Sequence, residues 1–168
     1  MQSELSFYVV DTEVGFVGLV LSEQGLRNTT LPRKTRDEAL TDVSALGATR
    51  ALSKGEVNGL SEGVETLGKG RHADLSVHVD WHDVTPFRRA VLEQTMRIPI
   101  GETRSYGEIA ELAGKPRAAR AVGRVMATNP LPFVVPCHRV VGSDGSLHGY
   151  GGGLDLKERL LRAEGARV

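Results

Sequence analysis

From Thr85 onward the chain carries helix start and stop signals so closely spaced that only short helices fit between them. Thr85 followed by Pro86 is an N-cap with a first-turn proline, and it opens a helix through about Arg97. Ser105 with Glu108 three residues on forms a capping box, and Gly114 with Pro116 just beyond ends that second helix. A third runs from about Arg117 to Ala127 and stops before Asn129 and Pro130, because proline drives the residue before it out of the helical region. Only Gly114, Lys115 and Pro116 separate the second and third helices, the layout of a helix-turn-helix. A last helix opens at Asp155, with Glu158 three residues later, buries Leu156, Leu160 and Leu161, and stops at Gly165. Glu164 then sits in its final turn, where an acid opposes the helix dipole. It is either a solvated surface group or one placed to orient something else.

The first half reads as mixed α/β. Leu5 to Val10 and Gly15 to Leu21 are β-rich runs with a turn between them, which predicts a hairpin. Residues 35–53 have apolar positions compatible with a helix, whereas the glycine-rich stretch 58–70 reads as a loop. Residues 75–82 alternate, placing Val77, Val79 and Trp81 on one face of a strand and His78, Asp80 and His82 on the other. That trio has metal-binding side chains, but with no cysteine beside it and no second ligand cluster it reads as a solvated strand face. A boundary near Asp83 gives two domains, 1–83 and 84–168.

Charge divides at the same place. Residues 1–83 hold eight basic against thirteen acidic side chains, and 84–168 hold thirteen against eight, so a neutral chain is −5 in one half and +5 in the other. On the third helix Arg117, Arg120 and Arg124 share one face, flanked by Gly123 and Ala127, with Ala118, Val122 and Val125 opposite. Such a face suits close approach to a phosphate backbone, and it also suits plain solvent. The N-terminus has no charged leader and the chain has no long apolar span, which predicts no membrane association. A single cysteine excludes an intrachain disulfide framework, so we expect a reducing, cytoplasmic setting, with nucleoid association, or a nuclear one in a eukaryote.

That cysteine, Cys137, lies in a stretch stiffened by Pro130, Pro132 and Pro136 and followed directly by His138 and Arg139. Thiol chemistry depends on thiolate, which nearby positive charge favours and apolar burial disfavours. Gly142 to Gly145 reads as a turn. His148 to Gly153 reads as a loop whose backbone can pass close to a ligand, or as a flexible connection.

Taken together, Pro136-Cys137-His138-Arg139, Asn129 upstream, Ser105-Tyr106 at a helix start, the run from Ala118 to Gly123, and Tyr150 with its three glycines resemble the O6-alkylguanine-DNA alkyltransferase family. The likeness spans roughly residues 85–165. It implies an α+β chain: a small mixed α/β N-terminal domain, then a helical, winged-helix-like domain with the DNA face and the thiol. It further implies single-turnover transfer of the alkyl group from O6 of a flipped guanine in double-stranded DNA to Cys137, by a monomer able to cluster along DNA and needing no cofactor or metal.

The resemblance also assigns residues. His138 would polarise the thiol through a water, Glu164 would orient His138, and Asn129 would brace the turn. Tyr106 would donate to the base ring. The carbonyls of Cys137 and Val140 would accept from the exocyclic amine, and N–H groups near Tyr150 and Gly151 would approach O6. Met126 would pack on the base and Arg120 would fill the vacated stack. Arg117 and Arg124 are expected to contact DNA from the basic helix face itself. Gly151 stands where some relatives carry a hydroxyl, so only a backbone role transfers, and the structural zinc of some relatives does not fit one cysteine. Two other classes compete. One is a lesion-sensing or regulatory DNA-binding protein with a structural Cys137. The other is a cysteine hydrolase, which needs a direct Cys–His pair that adjacent residues of an extended segment do not form.

Overall fold

The computed structural model describes residues 3–75 and 77–168 of the 168-residue chain. They form a mixed α+β structure that divides into two compact units, Met1–His82 and Asp83–Val168.

In the first unit β1 (Leu5–Thr12) and β2 (Gly15–Ser22) make the expected hairpin, in a register that sets Val9 opposite Gly18 and Val10 opposite Val17. Then come β3 (Gly25–Thr29), α1 (Arg36–Ala45) and β4 (Ala48–Ala51). The sheet runs β3-β2-β1-β4, with β4 parallel to β1 and the other pairs antiparallel. Val20, Val43 and Ala48 form a core cluster with Leu5 and Phe7 against it, which places α1 on the sheet. The helix expected over 35–53 is therefore a shorter helix followed by a strand.

Two further expectations fail here. Residues 58–70 are not a loop, because Asn58–Gly68 is a helix, α2. Its buried Leu60, Ser61, Val64 and Gly68 follow helical spacing, and burial of that stripe outweighs the helix-weakening glycines. Gly63 serves the packing directly, since a Cβ there would collide with Leu75. Nor do the described residues of 75–82 form a strand. Val79 makes one isolated bridge to Leu26, and Ser76 lies outside the described residues. Asp80 does not share an exposed face with His78 and His82: it is buried, and accepts from Ser22 Oγ (2.5 Å), Arg27 Nε (2.9 Å) and the His82 N–H (3.1 Å). Among the described residues no group of three or more His, Cys, Asp or Glu is placed to hold a metal ion.

The second unit opens with α3 (Pro86–Met96), capped by the Thr85 side chain as its sequence requires. A two-residue strand, β5 (Arg104–Ser105), leads into α4 (Tyr106–Leu112), where Ser105 and Glu108 complete the capping box. α5 (Ala119–Ala127) follows after six residues rather than three. Arg117 lies in that connection, so it leaves the helix face on which Arg120 and Arg124 remain exposed. Val122, Val125 and Met126 form the buried side of α5, each worth about 1.5–3 kcal/mol when fully buried. The chain continues through a 3₁₀ turn at Cys137–Arg139 and β6 (Val140–Val141) to α6 (Leu154–Ala163). α6 begins one residue before Asp155, with Gly153 at the N-cap and no side-chain cap. No helix of the described residues is long and apolar enough to cross a membrane.

Candidate active site

Residues 131–142 are buried without interruption, and the chain is folded tightly there to keep its polar groups paired. The Val135 N–H donates to Leu131 O at 2.7 Å around a turn in which Phe133 takes φ 73°, an unusual value for a side chain of that size. The Cys137 N–H then reaches back over Pro136 (φ −77°, ψ 67°) to Val135 O at 2.7 Å, an inverse γ-turn that proline pre-sets. Asn129 clamps both turns: its Nδ2 donates to Val135 O (3.0 Å) and its Oδ1 accepts from the Leu131 N–H (2.9 Å). Cys137 thus points from a backbone with little freedom.

The thiol is 6% exposed. Burial pushes its pKa up; the Asn129 amide, the Lys157 charge and nearby N–H groups pull the other way without overcoming it. At neutral pH the group is therefore a neutral thiol that needs a proton acceptor.

Its neighbour His138 has the geometry to be one. Nε2 lies 2.7 Å from Glu164 Oε1, both side chains being 3% exposed, while Nδ1 is buried with no protein partner. Glu164 is also gripped by Arg139, whose Nε and Nη2 each donate at 2.9 Å and whose Nη1 donates to Ile98 O at 2.8 Å. Burial alone would raise the Glu164 pKa, but the hydrogen bonds and charge of His138 and Arg139 outweigh it and keep the carboxylate ionised. An ionised acceptor at Nε2 fixes the proton there, which leaves Nδ1 with a free lone pair. Burial lowers the His138 pKa more strongly than Glu164 raises it, so the ring rests neutral. Glu164, at the C-cap of α6, thus faces two donors rather than solvent.

A parallel ladder brings the second half of the site in. Arg104 pairs with Val140 and Ser105 with Val141, which carries Tyr106, the first residue of α4, alongside the segment that follows the cysteine. Lys157 ties these pieces together. Only 1% exposed, it sends Nζ to Val140 O (2.7 Å) and His148 O (3.1 Å), 5.9 Å from the centre of the Tyr106 ring. Val140 O thus already accepts one proton, and Cys137 O accepts another from the Val140 N–H, so each carbonyl keeps one lone pair. Lys157 and the Arg139 grip on Glu164 are features that reading the sequence missed. The first had a signal, since Lys157 precedes Leu160 and Leu161 by three and four residues and so shares their inward face.

A cavity of about 530 Å³ opens between α4, α5 and the loop before α6, lined by Tyr106, Ala119, Arg120, Gly123, Ala127, His148, Gly149, Tyr150 and Gly151. Its size lies within the range of ligand pockets, about 300–1,000 Å³. Tyr106 is half-buried; the Tyr150 hydroxyl is buried without a partner, and burial holds that phenol far above its usual pKa. Met126 is buried inside α5, and Gly123 and Ala127 form that stretch of the wall. Arg117 and Arg124 are exposed.

A buried thiol, a carboxylate-held imidazole and a basic-walled cavity make an arrangement able to take a group onto sulfur. Residues 86–166 match the family model described as 6-O-methylguanine DNA methyltransferase, DNA binding domain. The chain is 39% identical over 163 residues to the methylated-DNA–protein-cysteine methyltransferase of Mycolicibacterium paratuberculosis, covering 95% of this chain and 92% of that one. The enzyme of the same name from Mycobacterium leprae is 55% identical over 84 residues, 50% of this chain and 51% of its own. Among solved structures, Mycobacterium tuberculosis O6-methylguanine methyltransferase aligns with a TM-score of 0.77 at 34% identity, covering 98% and 94% of the two chains. The same organism's protein in complex with DNA aligns at 0.76, covering 95% and 92%. The chain belongs to the methylated-DNA–protein-cysteine methyltransferase family.

Proposed function

We propose that this protein repairs O6-alkylguanine in double-stranded DNA by moving the alkyl group to Cys137, once per molecule. The observation that carries the reading is the His138 ring, locked through Nε2 on Glu164 and left with a buried acceptor at Nδ1 beside the chain's only thiol. Nδ1 takes the thiol proton through a water, and Glu164 stabilises the imidazolium that forms. Sulfur then attacks the alkyl carbon in line; the S–C bond forms as the C–O6 bond breaks, and the electron pair stays on the purine. Tyr106 hydrogen-bonds the base ring as this charge develops, and the proton lost by the thiol balances the one guanine gains. The thioether is a poor leaving group, so the protein is consumed.

Guanine O6 is displayed at the major-groove edge, but Cys137 is buried in the protein, so the nucleotide must be flipped into the cavity at a cost of about a few kcal/mol. Arg120, exposed on the cavity rim, fills the vacated stack, Met126 supports the wall on which the base packs, and Arg117 and Arg124 hold phosphates. The free lone pairs of the Cys137 and Val140 carbonyls read the exocyclic amine, and N–H groups of Tyr150 and Gly151 meet O6. Asn129 keeps the turn closed. In this reading residues 84–168 form a winged-helix-like domain with the α4–α5 pair on DNA, and residues 1–83 make a separate α/β domain. The work needs a reduced thiol and access to the chromosome, which fits the cytoplasm and association with the nucleoid.

Intact-protein mass spectrometry after incubation with an O6-methylguanine duplex tests this. The mass should rise by one methylene, mapped to Cys137, and Cys137→Ala should bind DNA without any gain. An unaltered mass in folded, reduced protein overturns the proposal.

A further inference from the structure

Glu164 stands at the C-cap of α6, and a helix end is where backbone freedom returns. Its carboxylate nevertheless meets His138 Nε2 at 2.7 Å. Within the chain the end is closed by Gly165, at φ 83°. The Gly165 N–H donates to Arg162 O at 3.0 Å and the Ala166 N–H reaches back to Leu161 O at 2.9 Å, the paired bonds of a Schellman cap. That cap fixes how the chain leaves the helix, not where the helix end sits against His138.

The loop from α3 to β5 supplies the second constraint. Ile98, 3% exposed, is tied to α3 through its N–H on Thr95 O (3.1 Å), and its carbonyl accepts from Arg139 Nη1 at 2.8 Å. Pro99 to Glu102 then make a turn, closed by the Glu102 N–H on Pro99 O at 3.1 Å. Gly101 takes its third position at φ 83° while Ile100 keeps a negative φ, the pattern of a type II turn. The turn lays Gly101 so close to Glu164 that a Cβ there would lie 3.1 Å from the Glu164 carbonyl oxygen. Among the described residues, that oxygen is the one atom beyond the chain neighbours that such a Cβ would meet within 4 Å. One loop therefore touches both partners of the buried ion pair, Arg139 through Ile98 and Glu164 through Gly101. It then runs into β5, where Arg104 pairs with Val140, so its far end is anchored beside the cysteine turn.

We propose that Gly101 is a positioning residue for alkyl transfer: by admitting the Glu164 peptide at this distance it keeps the carboxylate on His138 Nε2, and so keeps Nδ1 free for the thiol proton. The inference rests on the alkyl-transfer reading and changes none of its bonds. A Cβ at Gly101 pushes the carbonyl back by a few tenths of an ångström. The Glu164 side chain, bonded on both oxygens, has no slack to absorb that shift. Misplacing a catalytic group by about 1 Å costs about 10²-fold, so this smaller movement should slow transfer about fivefold.

The test is the single-turnover rate of transfer from an O6-methylguanine duplex at saturating protein. Gly101→Ala adds the Cβ together with left-handed strain, and Gly101→Asn adds the same Cβ in a residue that accepts such backbone more readily. Both should slow transfer about fivefold while affinity for undamaged DNA stays unchanged. In a Glu164→Gln background Gly101→Ala should slow it by less than about twofold further, because the route through the carboxylate is already lost. Gly47→Ala, in the first unit, carries comparable strain at φ 90° but would meet only Leu5 Cδ1 at 3.9 Å, so it should lower the melting temperature and leave the rate as it was. Imidazole ¹⁵N shifts of His138 should place the proton on Nε2 in the unaltered protein and share it with Nδ1 in Gly101→Ala. An unchanged rate in either folded Gly101 variant overturns the proposal. So does full additivity with Glu164→Gln, an equal loss in Gly47→Ala, or a His138 proton that stays put in a slowed variant. Transfer by the unaltered protein with indifferent Gly101 variants refutes this role alone, whereas no transfer at all refutes the repair reading as well.

Discussion

Replacing Glu164 by glutamine keeps the shape and changes one oxygen to an amide nitrogen, so it isolates charge and proton direction. The carboxylate accepts three hydrogen bonds, from His138 Nε2 at 2.7 Å and from Arg139 Nε and Nη2 at 2.9 Å, in a place that water barely reaches. A glutamine must present its N–H groups to one of these donors. If they take the place of Oε2, Arg139 Nε loses its acceptor and a guanidinium 8% exposed loses its counter-charge, keeping the remaining amide oxygen and Ile98 O. If they face His138, the ring must move its proton to Nδ1, and the acceptor for the thiol proton disappears. Breaking a buried pair costs about 3–5 kcal/mol, which lowers the melting temperature by about 6–20 °C for a chain of this length. Loss of a general base slows transfer by about 10²–10⁴-fold. The assay is rapid-quench alkyl transfer from an O6-methylguanine duplex, run well below the variant's melting point and at several protein concentrations, so that binding and transfer separate. A rate within about threefold of the unaltered protein, in folded variant, would remove His138 and Glu164 from the chemistry.

Acid should destabilise the protein through the same pair. Burial holds the His138 pKa below its ordinary value and the two donors hold that of Glu164 down, so the unfolded chain binds protons that the folded one does not. Stability therefore falls as pH drops below about 6.5 and through the carboxylate range; calorimetry from pH 7.5 to 4.5 checks this, and a rising melting temperature would contradict it. Lys157→Met keeps the stem but strips donors from Val140 O and His148 O, at about 1–3 kcal/mol for each orphaned group, and removes a charge that favours thiolate. The pH midpoint of iodoacetamide alkylation at Cys137 should move up, and an unmoved midpoint separates Lys157 from the thiol. Arg120→Ala should slow repair in duplex DNA about tenfold or more while barely changing reaction with free O6-benzylguanine; equal slowing refutes a role in flipping.

The parts of this fold written in local signals are legible in the sequence. Thr85-Pro86 and the Ser105–Glu108 box cap α3 and α4 because capping is satisfied within a few residues of the chain. α2 was not legible as a helix from its glycines, since its stability comes from tertiary burial of one stripe on β1. Asp80 looked like one of an exposed trio because alternation predicts a face, and only the fold decides that Arg27 and Ser22 close over it. At the site, the thiol and its flanking histidine can be read directly. The Arg139 grip on Glu164 spans 25 residues of sequence, and nothing in the local pattern of either residue announces it.

The burial that keeps Cys137 a neutral thiol also bears on the alkylated product. Cys137 sits in a segment where residues 131–142 are all enclosed, on a turn clamped by Asn129 and Val135. An added methyl on Sγ enlarges a side chain in this enclosed segment, and overpacking of a buried site costs about 1–3 kcal/mol. The strain falls on neighbours that cannot yield separately, because the 3₁₀ turn carries His138 and Arg139 on the same backbone and both are pinned to Glu164. The methylated protein should therefore unfold about 2–12 °C below the free form, and bulkier groups should lower it further. Equal or higher melting of the alkylated form, measured on the same preparation by calorimetry, would mean that the segment relaxes on reaction and that Cys137 is held less rigidly than its hydrogen bonds imply.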